Sequence, residues 1–156
     1  MHIIAPLTRV PTLRPLRGEA LHAAGWDRAV LLGSLTGVFV GVETHDFEGL
    51  LTELPAGGSA YSATGSSQSV ASGRLSYALG LHGPCASYAT ACSAALTAFD
   101  AAARAVESCE CGDAVVAGVN LMLAPRVGMS FAVAGMTSPR GRSHTFDIRA
   151  DGYARG

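Results

Sequence analysis

Apolar runs alternate along the chain with stretches of helical periodicity, and this alternation predicts a layered α/β fold. Residues 36–44, TGVFVGVET, form a short β-branched and aromatic run bounded by glycines, which predicts a strand. Residues 113–123, DAVVAGVNLML, predict a second strand. Because these runs are apolar at successive positions, we expect strands that helices cover on both faces.

Two helices and a short strand are predicted between these runs. Residues 67–81, SQSVASGRLSYALGL, have helical periodicity, and Gly73 within them predicts either a close neighbour or a later helix start. Residues 85–91, CASYATA, predict a short strand. A longer helix begins at Cys92, and we expect Gly112 to end it. Its predicted buried face consists of Leu96, Phe99, Ala103 and Val106.

The beginning of the chain has a different character. Residues 1–17 are interrupted by prolines, and we expect an irregular arm there. Residues 18–26 predict a short helix, and residues 55–66 have the composition of a loop. We expect residues 18–156 to form one domain.

Composition narrows the classes of function. A chain of 156 residues that is 49% hydrophobic and 15% charged is long enough for one domain with a core. The formal net charge is -1 without a basic block, which argues against nucleic acid as a partner. All cationic side chains are arginines, so chemistry on a lysine amine is excluded within this sequence.

Hydropathy argues against a membrane protein. No run approaches about 18 uninterrupted apolar residues, and the N-terminus lacks the continuous apolar core of a secretory signal. We therefore expect a cytoplasmic protein without a membrane partner. The arginines near the N-terminus keep an organelle transit segment as the alternative.

The four cysteines predict reduced thiols in an intracellular protein: Cys85, Cys92, Cys109 and Cys111. They form no C-x-x-C motif, and no histidine stands at the spacing of a zinc site. We expect neither a metal nor a cofactor. Cys109 and Cys111 are expected at a helix end and in the following loop.

Cys92 is the candidate nucleophile because of its position. A strand leads into a turn of small residues, and a helix begins at the cysteine. The unpaired N–H groups and the positive dipole end of a helix favour the reactive thiolate. Small neighbours would let a thioester approach the sulfur: Ala89, Ala91, Ser93 and Ala94. The alternative is a small hydrophobic residue packed in an alanine-rich helix.

A longer pattern surrounds this cysteine. The chain contains LLGSLTGVFVGVETHDF, then GRLSYALGLHGPCASYATACSAALTAFDAA, then GDAVVAGVNLMLAP and FAVAGMTSPRGRSHTFDIRADGYARG. In this order the stretches resemble G-S-x-T-G-V-F-V-G, then S-G-R-[IL]-S-Y with L-G-L-x-G-P-S and D-T-A-C-S-S-S-L, and finally A-G-M-L-S-P-x-G-R with A-D-G-Y-x-R-G. These are motifs of β-ketoacyl synthases, in particular of the ketosynthase domains of modular polyketide synthases, and the resemblance covers residues 18–156.

The resemblance implies a thiolase-like αβα layered fold, of which this sequence holds the N-terminal half. Cys92 matches the family cysteine, which would accept an acyl group from an acyl carrier protein or coenzyme A thioester. A malonyl-type extender, decarboxylated in the site, would then attack the acyl-enzyme in a Claisen condensation of polyketide or fatty-acid biosynthesis. The backbone N–H of Cys92 would be one oxyanion-hole donor. The family also implies a homodimer with contacts near the nucleophile strand.

Four positions near Cys92 depart from the family pattern. Ala89 replaces the aspartate, Ala94 and Ala95 replace serines after the cysteine, and Cys85 replaces the serine of G-P-S. All are changes between small residues or in a small-residue turn, and they would alter the packing that aims the sulfur.

The two histidine motifs of the family, H-G-T-G-T and N-x-G-H, do not occur in this sequence. Its histidines match neither motif: His2, His22, His45, His82 and His144. We therefore expect this chain alone to be acylated at most, without completing a condensation, and we expect His82 to be exposed.

Two other functions compete with this interpretation. One is a non-catalytic half-domain that acts as an interaction or dimerisation element, which the missing histidines favour. The other is a thiolase-like condensing enzyme that uses free coenzyme A, against which the FDIRADGYARG stretch weighs.

Further downstream, Asp147 and Asp151 flank Arg149, and we expect the three to shape a turn. Phe131 and Met136 are candidates for the lining of an acyl pocket, with core packing as the favoured interpretation.

Overall fold

A computed structural model describes residues 2–7, 15–16, 21, 25–46, 49, 62–65 and 67–154. The chain divides into two compact units, Met1–Leu121 and Met122–Gly156. Within the described residues, no helix is long and apolar enough to cross a membrane.

The described residues of the first unit contain five strands: β1 (His2–Leu7), β2 (Pro15–Leu16), β3 (Gly37–His45), β4 (Cys85–Tyr88) and β5 (Ala114–Leu121). The helices described in full there are α1 (Arg28–Leu31), α2 (Ser62–Gly65), α3 (Ala71–Leu79) and α4 (Ala94–Glu107), with 3₁₀ turns at Gln68–Val70 and Ala91–Ser93. The second unit contains α5 (Pro125–Val133).

The five strands form one mixed sheet in the order β2-β1-β5-β3-β4. β3 lies in the middle of a parallel trio, with Val38 opposite Cys85 in β4 and Val115 in β5. β1 runs antiparallel to both β5 and β2. The strands predicted at 36–44 and 113–123 are confirmed, and the strand predicted at 85–91 is confirmed over Cys85–Tyr88.

The expectation of an irregular arm over residues 1–17 is wrong for residues 2–7 and 15–16. Their backbone groups pair in the sheet, with β1 along one side of β5. The prolines occupy positions that a sheet tolerates, because Pro6 follows a register shift in β1 and Pro15 lies in the edge strand β2.

Both faces of β3 are buried, as its continuous apolar run predicts. Val38, Val40 and Val42 pack in one cluster with Leu31 and Leu81, which lie around α1 and α3. Phe39 points to the opposite face and packs against α4 and β5 in a second cluster. The parallel part of the sheet therefore lies between two helical layers.

α4 covers the sheet mainly through alanines. Of the predicted buried face, Val106 is buried and Phe99 is partly buried against the core, but the prediction is wrong for Leu96. The buried residues of α4 are Ala94, Ala98, Ala102, Ala105 and Val106. The predicted Leu96 is 70% exposed. A Cβ atom at Gly41 of β3 would lie 2.5 Å from the Ala94 carbonyl and the Ala95 nitrogen. The backbones are thus so close that the contact face needs small side chains.

The other predicted helix begins late. Gln68–Val70 is a 3₁₀ turn and the α-helix starts at Ala71, which places Gly73 in its first turn. A Cβ atom at Gly73 would meet no heavy atom within 4 Å, so the late start, and not a close neighbour, accounts for the glycine.

α4 ends earlier than Gly112. The Ser108 N–H donates to the Arg104 carbonyl at 2.8 Å, and the Glu110 N–H donates to the Ala105 carbonyl at 2.9 Å. Cys109 between them has φ +62°, the left-handed backbone that closes many helices. These hydrogen bonds cap the last carbonyl groups of the helix, which therefore ends at Glu107 and not at Gly112.

Two predicted segments lie largely outside the described residues. Of the helix predicted at 18–26, the structure describes residues 21, 25 and 26. Of the loop predicted at 55–66, it describes residues 62–65, which form the short helix α2 instead.

Candidate active site

The predicted nucleophile lies where β4 passes into α4. The parallel strands β3, β4 and β5 end at the same edge of the sheet, and α/β folds bind ligands at this carboxyl edge. Cys92 follows the end of β4 within the 3₁₀ turn Ala91–Ser93, and its side chain is exposed. Exposure argues against the alternative of a packed core cysteine.

The backbone just before Cys92 has an unusual conformation. Ala91 has φ +52°, in the left-handed region that an L residue enters at a cost of about 1–2 kcal/mol. Such outliers persist only where the surroundings hold them, and they concentrate at functional sites. The strand-to-helix turn therefore keeps Cys92 in a geometry that an unrestrained chain would leave.

Three hydroxyl groups surround this turn. The Ser93 hydroxyl donates to the Thr90 carbonyl at 2.7 Å and to the Thr90 hydroxyl at 3.1 Å. The Ser93 N–H also donates to the Thr90 carbonyl, at 3.2 Å. The Thr90 and Thr97 hydroxyls share a hydrogen bond of 3.1 Å. The residues on both sides of Ala91 and Cys92 are thus tied together and to the first turns of α4.

The residues that depart from the family pattern have different surroundings in the structure. Ala94 is 5% exposed and its carbonyl lies against Gly41, so this position has little room for a larger side chain. Ala89 is exposed before the turn. Cys85 is an exposed free thiol at the start of β4, at the opposite end of that strand from Cys92.

The histidine nearest in sequence is not beside Cys92 in the fold. His82 is exposed and precedes β4, whereas Cys92 follows it, so a strand roughly 13 Å long separates their positions. His144 belongs to the second unit, and the side chains of the other histidines lie outside the described residues.

The two cysteines after α4 differ in environment. Cys109 is exposed, whereas Cys111 is 2% exposed within the core cluster that faces α4. Burial raises the pKa of the Cys111 thiol, because the thiolate loses its hydration there. No group of three or more His, Cys, Asp or Glu side chains that could hold a metal ion occurs in the part of the chain that the structure describes.

In the second unit, Asp147 and Arg149 do shape a turn. One Asp147 carboxylate oxygen accepts the Arg149 backbone N–H at 2.9 Å, and the other pairs with the guanidinium at 2.7 Å. The side-chain hydrogen bond from Arg149 lowers the pKa of Asp147. Asp151 pairs instead with Arg140, at 3.7 Å. Met136 is 45% exposed, which contradicts the prediction of core packing for it.

Sequence reasoning missed the hydroxyl groups of Thr90, Ser93 and Thr97. A signal for them exists, because hydroxyl residues at 90, 93 and 97 lie around the predicted helix start, where such side chains often bond neighbouring polar groups. It missed Ala91 as well, since no residue type that favours a left-handed backbone stands there. Only the folded turn reveals its φ value.

Comparison with known proteins identifies the family of the chain. The family model "Beta-ketoacyl synthase, N-terminal domain" matches residues 16–156. The mycocerosic acid synthase-like polyketide synthase of Mycolicibacterium smegmatis is 43% identical over 135 residues, which are 86% of this chain and 6% of that protein. The fumosorinone synthetase of Cordyceps fumosorosea is 46% identical over 138 residues, 88% of this chain and 3% of that protein.

Solved structures match the fold. A cysteine-to-serine mutant of the ketosynthase from module 6 of the Bacillus subtilis bacillaene synthase superposes with a TM-score of 0.74 at 32% identity. The Streptomyces albus oxazolomycin ketosynthase domain gives 0.72 at 35% identity. Each match covers 87% of this chain but only 22% or 23% of the solved chain. These neighbours confirm the predicted thiolase-like fold, and this chain spans a small part of each relative.

Proposed function

This chain belongs to the β-ketoacyl synthase family, and from that premise we propose that Cys92 is the acyl-accepting nucleophile of a ketosynthase. Its thiolate attacks the carbonyl carbon of an acyl thioester and forms a new carbon–sulfur bond. The bond to the donor thiol breaks, and that thiol leaves as a thiolate and takes up a proton. The acyl group then remains on Cys92 as a thioester.

The observation that carries this proposal is the placement of Cys92. It is exposed directly after the left-handed Ala91, at the carboxyl edge of three parallel strands and at the start of a 14-residue helix. The positive end of such a helix stabilises a thiolate and the negative charge that develops on the thioester oxygen. We assign one oxyanion donor to the backbone N–H of Cys92.

The donor in this proposal is an acyl carrier protein or a coenzyme A thioester, and the later attacking group is a malonyl-type extender. Enzymes of this family use two histidines for condensation. No histidine within residues 1–156 lies in either of the two family motifs. Acyl transfer to Cys92 is therefore the step that we assign to this chain, and condensation requires histidines supplied from elsewhere.

A second candidate function is dimerisation, and the position of β4 favours it. β4 is the last strand in the order of the described sheet and pairs with β3 alone. An edge strand offers unpaired backbone groups to a second copy of the chain. A dimerisation role is independent of the thiol and would persist in the Cys92→Ala variant.

Intact-mass measurement after incubation with a short-chain acyl–coenzyme A tests the nucleophile. We expect one acyl adduct on the purified chain, which hydroxylamine removes, and no adduct on Cys92→Ala. Cys85→Ala is the matched control, because it removes another exposed thiol of the same sheet and should still be acylated. An adduct that persists in Cys92→Ala would overturn the assignment.

A further inference from the structure

Thr97 is separated from Cys92 by more than one helical turn, yet it contacts the side chain of a residue in the turn that carries the thiol. Its hydroxyl shares a hydrogen bond of 3.1 Å with the Thr90 hydroxyl, across seven residues of sequence. Thr90 immediately precedes the left-handed Ala91. Through Thr90, a side chain of the helix thus reaches the residue that leads into the strained turn.

Ser93 makes further hydrogen bonds to Thr90 from the other side of Cys92. Ser93 follows Cys92, and its hydroxyl donates to both the carbonyl and the hydroxyl of Thr90. Ser93 is the N-cap of α4 but makes no side-chain capping bond to the helix. Its hydrogen bonds are therefore directed backward across Ala91 and Cys92, and they do not stabilise the first turn of the helix.

The helix to which Thr97 belongs is itself held in place. Ala94 and Ala98 are 5% and 0% exposed on the sheet side of α4, and the backbone at Ala94 lies against Gly41. Thr97, between them and half-buried, is therefore attached to an element with little freedom to move. The hydroxyl contact transmits that rigidity to the turn.

We propose that Thr97 is a positioning residue: through the Thr90 hydroxyl it holds Ala91 in the left-handed region and so sets the orientation of Cys92. This inference rests on the proposed function of Cys92 and adds the group that holds the nucleophile in place. Without the Thr97 hydroxyl, Thr90 and Ala91 gain freedom, and the thiol spends less time at the helix N-terminus.

The test compares thiol reactivity site by site. The purified full chain reacts with iodoacetamide at neutral pH, and peptide mass spectrometry follows each cysteine separately. Thr97→Val removes the hydroxyl and keeps the branched shape, and we expect a rate at Cys92 that is about threefold to tenfold lower, the usual effect of one hydrogen bond. Cys85 and Cys109, which are also exposed, serve as internal references and should keep their rates.

Four further variants separate positioning from general stability. Thr97→Ser restores a hydroxyl and should restore the rate at Cys92 to within about twofold. Thr90→Val breaks the same contact from the other side, and the double variant should be no slower than Thr90→Val alone, because coupled residues are not additive. Ser108→Ala removes a hydroxyl that bonds the Arg104 carbonyl at the far end of α4 and should change nothing at Cys92.

An unchanged rate at Cys92 in Thr97→Val would overturn the inference, and so would equal slowing at all three exposed thiols. Failure of Thr97→Ser to rescue a slow Thr97→Val would overturn it as well. These outcomes are independent of acyl transfer. A wild-type chain that alkylates with this pattern but takes no acyl group would refute the proposed function and leave the positioning role in place.

Discussion

The two ends of α4 can be compared directly, because each has a left-handed residue and an adjacent or nearby cysteine. At the N-terminal end, Ala91 has φ +52° and is followed by the exposed Cys92. At the C-terminal end, Cys109 itself has φ +62°, and Cys111 two residues later is buried. The local backbone geometry is similar, but the surroundings are different.

At the C-terminal end the left-handed residue has a structural explanation. Helices often close in this way, and the Glu110 N–H bonds to the Ala105 carbonyl as such a closure requires. A helix start needs no left-handed residue before it, so Ala91 has no equivalent explanation. The residues beside Ala91 instead make hydroxyl hydrogen bonds next to an exposed thiol, and we propose that these bonds hold its conformation. The same deviation thus indicates capping at one end, and at the other end it lies in the turn of the proposed nucleophile.

The largest expected effect is on the free energy of unfolding, and it tests the contact between the N-terminal end of α4 and the sheet. Gly41→Ala places a Cβ atom 2.5 Å from backbone atoms of Ala94 and Ala95, which cannot rotate away. We expect the free energy of unfolding to fall by about 3 kcal/mol, as for an overpacked core. Urea denaturation followed by circular dichroism measures this change.

Gly112→Ala is the matched control beyond the other end of the helix. A Cβ atom there meets no heavy atom within 4 Å, and we expect a change within about 0.5 kcal/mol. Equal stability of the two variants would show that the close contact at Gly41 does not position α4.

A second expected effect separates the thiols at the two ends. Burial raises the pKa of Cys111, and the native fold shields it from reagents, whereas Cys92 is exposed. In pulsed alkylation of the native chain we expect Cys111 to react on the order of a hundredfold more slowly than Cys92, because it must wait for local opening.

The same pulse in concentrated urea is the control, and there the two cysteines should react at similar rates. A native Cys111 that reacts as fast as Cys92 would contradict the assignment of Cys111 to the core.

The smallest expected effect tests the closure at the C-terminal end. Cys109→Gly removes the Cβ atom that makes φ +62° unfavourable, and we expect a gain of up to about 1 kcal/mol in the free energy of unfolding. Cys109→Ala removes the thiol but keeps the Cβ atom, so it should give no comparable gain. Thermal denaturation of both variants checks the prediction, and a gain from alanine equal to that from glycine would contradict it.

Local pattern was sufficient to predict the strands of the parallel core and the helix after the cysteine. Residues 36–44 and 113–123 are apolar at successive positions because two helical layers cover them, so their burial could be inferred from the chain alone. The start of α4 near Cys92 was predictable in the same way, from small residues followed by helical periodicity.

The buried face of α4 was not predictable from periodicity. Leu96 is larger and more apolar than Ala94 or Ala98, so hydrophobicity alone points to the wrong face. The alanines are buried because Gly41 lets the two backbones approach until only small side chains fit. That contact joins residues more than fifty positions apart, and it has no signal within the helix.

The sequence by itself determined the layered α/β fold, the family and the identity of the candidate nucleophile, because each depends on residue types in a local order. Tertiary structure decided which face of α4 is buried, where that helix ends, that residues 2–7 form a strand, and how Cys92 is held. These depend on distances between segments far apart in the chain: Gly41 to Ala94, β1 to β5, and Thr97 to Thr90 across the turn. Backbone approach and hydrogen bonding act through space, so such contacts are established only when the chain folds.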